Sequence, residues 1–227
     1  MTPRNESYTE LLSLAVHELR TPAGVVGGYL RMLQRNEAPL SELQRKMVDE
    51  AERSCQRLVA LIAELSEIQK LDANLVELAQ QGLDAFPVMA EAAEGVREPD
   101  ERNVRLEVRG KPTGASMAGD VTRLRAAFAA IYRASLREMP ANTTVIADRR
   151  LDRCQGVQSA VLVIAAEANV QAAYDAEPVP FDEKRGGLGL ALPIACRVIE
   201  RHRGRIWSPA GGRASVVVSL PLSEPSR

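Results

Sequence analysis

The sequence predicts an α+β chain: an antiparallel helical hairpin, pairing into a dimeric four-helix bundle, followed by an α/β sandwich. Two patterns and one composition carry this expectation. Residues 9 to 70 repeat apolar side chains at alternating spacings of four and three, the seam of packed helices. After about residue 83 short apolar or alternating runs appear, with helical patterns between them. The 227 residues are 45% apolar and 26% charged, ordinary values for a chain that buries real cores. Two domains are expected, over residues 1–75 and 84–223.

The first helix places Leu12, Val16, Leu19, Ala23, Val26, Leu30 and Leu33 on one seam. The second does the same with Met47, Ala51, Ser54, Leu58, Leu61, Leu65 and Ile68. Between them NEAPLSE (36–42) breaks the helix. Asn36 can close the first helix and Pro39 can sit near the start of the second. Two helices cannot cover such seams on every side, so two hairpins are expected to pair.

Strands are expected at 104–108, where Val104, Leu106 and Val108 share a face, and at 143–148, 159–165, 204–207 and 214–220. Helical patterns lie at 84–97, 120–138 and 188–202. The Ala-, Pro-, Asp-, Glu- and Gly-rich stretch 166–187 reads as a loop. Helices on one face of a mixed sheet are the expected arrangement.

Composition removes several function classes. Lys and Arg total 29 against 30 Asp and Glu, a net charge of -1, which argues against a nucleic-acid footprint. No run of 18 or more apolar residues exists, so no membrane insertion is expected. The start, MTPRNESYTE, lacks a secretory core, and a cytoplasmic protein is expected. Cys55, Cys154 and Cys196 are scattered and read as reduced thiols, and with only His17 and His202 no metal site is expected.

His17 lies one step off the seam. Glu18 follows it, and Thr21, at i+4, projects from the same face. Pro22 then removes a backbone donor. An imidazole nitrogen accepts a phosphoryl group when a neighbouring carboxylate takes its proton or orients the ring. A hydroxyl one turn away can hold a water for in-line attack.

The segment His17-Glu18-Leu19-Arg20-Thr21-Pro22 resembles the phosphoacceptor box of bacterial two-component sensor histidine kinases, and the domain order resembles that family along the whole chain. The resemblance implies that His17 carries the phosphoryl group, Glu18 acts as acid/base, and Thr21 positions water for dephosphorylating the partner regulator. It also implies that the second domain is a sandwich of the histidine-kinase ATPase type. There the resemblance is broken. Asp120-Val-Thr-Arg123-Leu124 looks like the start of the asparagine box, but the two asparagine positions are Ala130 and Ala134, and a methyl group cannot ligate Mg²⁺. Where the family reads Asp-x-Gly-x-Gly to hold adenine, this chain reads Ala165-Ala166-Glu167-Ala168-Asn169. Arg137, with Arg123, Arg125 and Arg133, reads as a solvated helix face. Gly186-Gly187-Leu188-Gly189-Leu190 resembles the last glycine box, with Gly187 and Gly189 as residual nucleotide-binding positions; alternatively these glycines only let the loop pack closely. His202 reads as structural.

The combination implies a phosphorelay protein that carries phosphoryl groups on His17 and exchanges them with the receiver domain of a response regulator, as a histidine phosphotransferase or phosphatase with little or no autokinase activity. It is expected to be a homodimer through the hairpin and to need no cofactor of its own. A second reading is an active kinase that holds ATP and Mg²⁺ in an unorthodox way, through Gly187, Gly189 and Arg137. A third is a non-catalytic scaffold that binds a regulator.

Overall fold

The computed structural model describes residues 3–35, 40–96, 102–187, 189–212 and 214–223, with side-chain environments from Leu14 onward. The chain divides into two compact units, Met1–Leu75 and Val76–Arg227.

The first unit is a hairpin of α1 (Pro3–Arg35) and α2 (Glu42–Asp72). Helix α1 continues through Pro22, whose missing N–H leaves the Glu18 carbonyl without its usual partner. Ser41 starts α2 with a capping box. Its hydroxyl accepts from the Gln44 N–H at 3.3 Å, while the Gln44 carboxamide accepts from the Ser41 N–H at 3.0 Å. Ser-Glu-Leu-Gln is the signature of that motif, and it sets the helix start at Glu42, three residues beyond Pro39; Asn36 and Pro39 themselves lie outside the described residues. The helices approach closely at Gly27, where a Cβ would come within 3.3 Å of the Cys55 sulfur. The Cys55 thiol donates to the Ala23 carbonyl at 3.2 Å. Val16, Cys55 and Ile62 are buried, whereas Leu19 and Val26 (52% each), Met47 (63%) and Leu58 (56%) are exposed. The apolar seam is thus split between a closed side and an open one.

The second unit is built on a six-stranded mixed sheet in the order β2-β4-β5-β8-β7-β6. Its strands are β2 (Arg105–Gly110), β4 (Thr144–Cys154), β5 (Val157–Ala166), β6 (Pro178–Val179), β7 (Arg205–Pro209) and β8 (Val216–Pro221). Only β2 and β4 pair in parallel. The helices α3 (Ala85–Glu94), α4 (Val121–Glu138) and α6 (Ala191–Arg201) pack together over the sheet, α4 on β5 and α6 on β7. Phe86, Phe128, Ile131, Leu162 and Ile164 are fully buried there, and the Tyr132 hydroxyl donates to the Met89 carbonyl at 3.1 Å.

Three features differ from the sequence expectation. A two-stranded sheet of β1 (Gln81–Asp84) and β3 (Ser116–Gly119) precedes α4. The stretch 166–187 is more than a loop: it contains a 3₁₀ turn, the short helix α5 (Val170–Asp175) and β6. Helices therefore cover more than one face. Ala173 of α5 packs on Val161, Val163, Ala165 and Val217, the opposite side of β5 from Leu162 and Ile164.

Cys55 and Cys196 are buried, Cys154 is partly so, and all three are free thiols. No helix among the described residues is long and apolar enough to cross a membrane.

His202, the C-cap of α6, ties three elements together. Its Nε2 accepts from the Asp120 N–H at 2.9 Å and its Nδ1 lies 2.7 Å from the Val198 carbonyl. A Cβ on Gly119 would fall 2.7 Å from the ring. Asp120 in turn caps α4, accepting from the Arg123 N–H at 3.0 Å. Burial lowers the His202 pKa, outweighing the Val198 hydrogen bond and the Asp120 charge. The unfolded chain then binds the proton at higher pH than the folded one. Second-unit stability should fall as pH drops below about 6.5, in a window separate from Asp120, whose pKa is lowered below 3.8. Thermal unfolding followed by the single tryptophan, Trp207, should show this fall, and His202→Gln should flatten it between neutrality and pH ~5.

Candidate phosphotransfer site

His17 sits in the middle of α1, on its exposed surface. Its side chain is 75% exposed and that of Glu18 is 71% exposed, with His17 Nδ1 3.4 Å from Glu18 Oε1. This is a long contact, at the outer limit of hydrogen bonding. It leaves Nε2 free of protein partners among the described residues. Thr21 is also exposed, one turn along the same face. A rigid helix thus presents an accessible imidazole nitrogen, a carboxylate beside the other nitrogen, and a hydroxyl within one turn. That set can accept a phosphoryl group at Nε2 while Glu18 holds the Nδ1 proton.

The second unit presents a different arrangement. Ala130 and Ala134 lie on α4 and Ala165 on β5, and all three are buried. Gly186, with φ +75°, sits directly against α4: a Cβ there would fall 2.8 Å from Ala134 Cα and 2.9 Å from its Cβ. Arg137 is exposed, as a solvated helix face predicts, and its guanidinium also donates to the carbonyls of Gly186 and Gly187 at 3.2 and 3.4 Å. Arg185 is buried and stacks 4.3 Å from the Phe181 ring centroid. Its Nη1 donates to the Ser215 carbonyl at 3.4 Å, and its Nε lies 3.9 Å from Glu138. Arg197 pairs with Glu183 at 3.0 Å. Residues 181–187 thus form a strap lashed to α4, α6 and the start of β8.

Gly187 and Gly189 adopt positive φ of +60° and +67°. Gly187 has open space around a notional Cβ, and α6 starts at Ala191. Glu167, in the stretch matching the adenine box, opens a 3₁₀ turn and pairs with Arg109 at 2.7 Å. A Mg²⁺-bound nucleotide needs oxygen ligands at the metal and free cations at the phosphates. Three buried methyl groups and an arginine engaged with backbone carbonyls do not fit that requirement.

Residues 7–74 match the His Kinase A (phospho-acceptor) domain. The chain is 28% identical over 224 residues to the signal transduction histidine-protein kinase BaeS of Escherichia coli, covering 91% of this chain and 45% of BaeS. It is 24% identical to the sensor protein FixL of Bradyrhizobium diazoefficiens, covering 97% and 45%. The chain thus spans less than half the length of these curated relatives. Among solved structures, full-length ShkA in complex with AMPPNP aligns with TM-score 0.67 at 18% identity, over 96% of this chain and 47% of ShkA. The Acinetobacter baumannii histidine kinase AdeS aligns with TM-score 0.56 at 18% identity, over 92% and 98%. These structures establish the shared fold, a helical hairpin followed by an α/β sheet domain. The phospho-acceptor match and the curated relatives together support the two-component histidine kinase family.

Arg185 and Glu138 were not singled out from sequence. Gly186 opens the glycine box, but no spacing rule relates it to Ala134, which is 52 positions away. The strap makes a local prediction. Gly186→Ala should destabilise residues 181–187 by about 2–3 kcal/mol, through a strained φ and overlap with Ala134. Gly187→Ala, with free space, should cost only about 1 kcal/mol. Amide hydrogen exchange across the strap should be markedly faster in the first variant than in the second.

Proposed function

We propose that this chain is a phosphorelay protein whose His17 exchanges a phosphoryl group with the receiver domain of a response regulator, with little or no ATP-dependent autokinase activity. Residues 1–75 act as the dimerising phosphoacceptor domain and 84–223 as a degenerate catalytic-like domain. In the transfer, His17 Nε2 attacks the phosphorus of the regulator's aspartyl phosphate. The N–P bond forms, the P–O bond to the aspartate breaks, and the carboxylate leaves with the bonding pair. Glu18 holds the Nδ1 proton and compensates the positive charge that develops on the ring. In the reverse direction the same groups return the phosphoryl group to the regulator. Thr21 positions a water for in-line attack on the regulator's phosphoaspartate. The open seam of Leu19, Val26, Met47 and Leu58 supports burial against a second copy, which completes a four-helix bundle.

The observation that carries the autokinase part of this reading is Gly186 seated on Ala134, with Arg137 bonded to the strap. The reacting groups on α1 are open, while Ala134, one of the two positions that resemble the asparagine box, is a methyl group under backbone. Phosphotransfer from a regulator needs only the first set, because the resemblance places Mg²⁺ in the regulator's own acidic pocket.

Incubation with radiolabelled ATP and Mg²⁺, and separately with a radiolabelled phospho-receiver, tests this. Label should reach His17 from the receiver only and vanish in His17→Ala. Label from ATP alone would overturn the reading in favour of an active kinase, and no label from either donor would favour a binding scaffold. Thr21→Ala should slow regulator dephosphorylation by about 10²-fold while leaving transfer to His17 within about threefold of wild type. Equal loss of both rates would remove the role assigned to Thr21.

A further inference from the structure

At the end of β5 and β8 away from the strap, the second unit has an open cleft of about 800 Å³, within the size range of small-molecule sites. Arg201, Arg203 and Arg205 line it, with Gln80, Ser219 and Met117. Among the described residues that line it, none is acidic. In a chain with nearly equal numbers of cations and anions, this is a local segregation of charge, and a cleft of one sign concentrates the opposite ion. His202 contributes no charge: both ring nitrogens are engaged by backbone groups.

The three arginines differ in what holds them. Arg201 is in the last turn of α6, where a cation complements the helix end, and it donates to the Val76 carbonyl at 2.9 Å. Arg203 and Arg205 are exposed and have no carboxylate partner among the described residues; Arg205 lies 5.8 Å from the Trp207 ring centroid. Arg203 occupies the left-handed position of a Schellman motif, with φ +59°. Its N–H donates to the Glu200 carbonyl at 2.8 Å, and the Gly204 N–H to that of Ile199 at 2.9 Å. Glycine is the least strained residue at that position. The helix cap fixes the backbone from which Arg203 projects, beside two more arginines at the same cleft.

The geometry points to a binding site in this cleft for a small polyvalent anion bearing phosphate or carboxylate groups. Guanidinium forks match both oxyanions in bidentate fashion, and Gln80 and Ser219 supply further polar groups. The site is independent of the phosphotransfer chemistry on α1 and lies at the other end of the sheet from the strap.

Thermal unfolding of the full chain with inorganic pyrophosphate or citrate, against potassium chloride at equal ionic strength, tests the assignment. At least one of the two should raise Tm by about 2–4 °C over the salt control; stronger binding of one identifies phosphate or carboxylate as the class. Arg203→Gly should weaken binding about tenfold. Its unliganded Tm should stay at or above that of wild type, because glycine relieves the positive φ. Arg137→Ala, at the strap, should retain the response. No response above the salt control, an undiminished response in Arg203→Gly, or its loss in Arg137→Ala would each overturn the assignment.

Discussion

Burial of β5 on both faces is the constraint on which the second unit depends. Leu162 and Ile164 point into one layer, Val161, Val163 and Ala165 into another, and all are at most 3% exposed. A strand in that position has no solvent face on which to place polar side chains, so its sequence is nearly continuous apolar residues. Chemistry is confined to its two ends. At one end, where β5 pairs with the start of β8, the strap closes over α4. At the other, where β5 pairs with the end of β8, the arginine cleft opens. The same apolar requirement suits Ala165 to the layer formed with α5 and Val217, where an adenine-binding aspartate would need a hydrogen-bonding partner to offset its burial.

What the sequence revealed tracks how local each signal was. The hairpin was legible because seven apolar or small positions in each helix repeat the same alternation of spacings. Strands β5 and β8 were legible because a strand buried on both faces reads as a short apolar run, Val161–Ile164 in one and Val216–Val218 in the other. Strands β1 and β3 were not: Gln-Gly-Leu-Asp and Ser-Met-Ala-Gly have no apolar alternation to detect. What holds them is tertiary, since Asp84 accepts from the Ala115 N–H at 3.1 Å and from that of Gly114. Helix α5 was hidden by its length, for six residues give little more than one turn, and only Ala173 of the helix is buried.

The site followed the same rule. His17, Glu18 and Thr21 fall within five consecutive residues, so a helix alone fixes their relation. The strap joins Arg137 to Gly186 and Gly187, and Arg185 to Ser215, across 30 to 50 positions. No periodicity connects such pairs. The absent asparagines and aspartate could be noticed from sequence, but not the fact that backbone takes the space beside Ala134.

Replacing Ala134 by asparagine would not by itself create a metal ligand, because its Cβ already meets the space a Gly186 side chain would take. A longer side chain there has to displace the strap, and the strap is held by the Arg137 contacts with two carbonyls, the Arg185 stack on Phe181 and the Arg197–Glu183 pair. The Arg137 and Arg197 contacts are partly solvent-exposed and the Arg185 side chain is buried, but all act on one short segment and share its ordering cost, so releasing one leaves the others in place. In the proposed reading, missing ligands and a lashed strap are two separate obstacles to a nucleotide. Neither reaches the exposed imidazole on α1, whose geometry is set by its own helix and the capped hairpin that carries it.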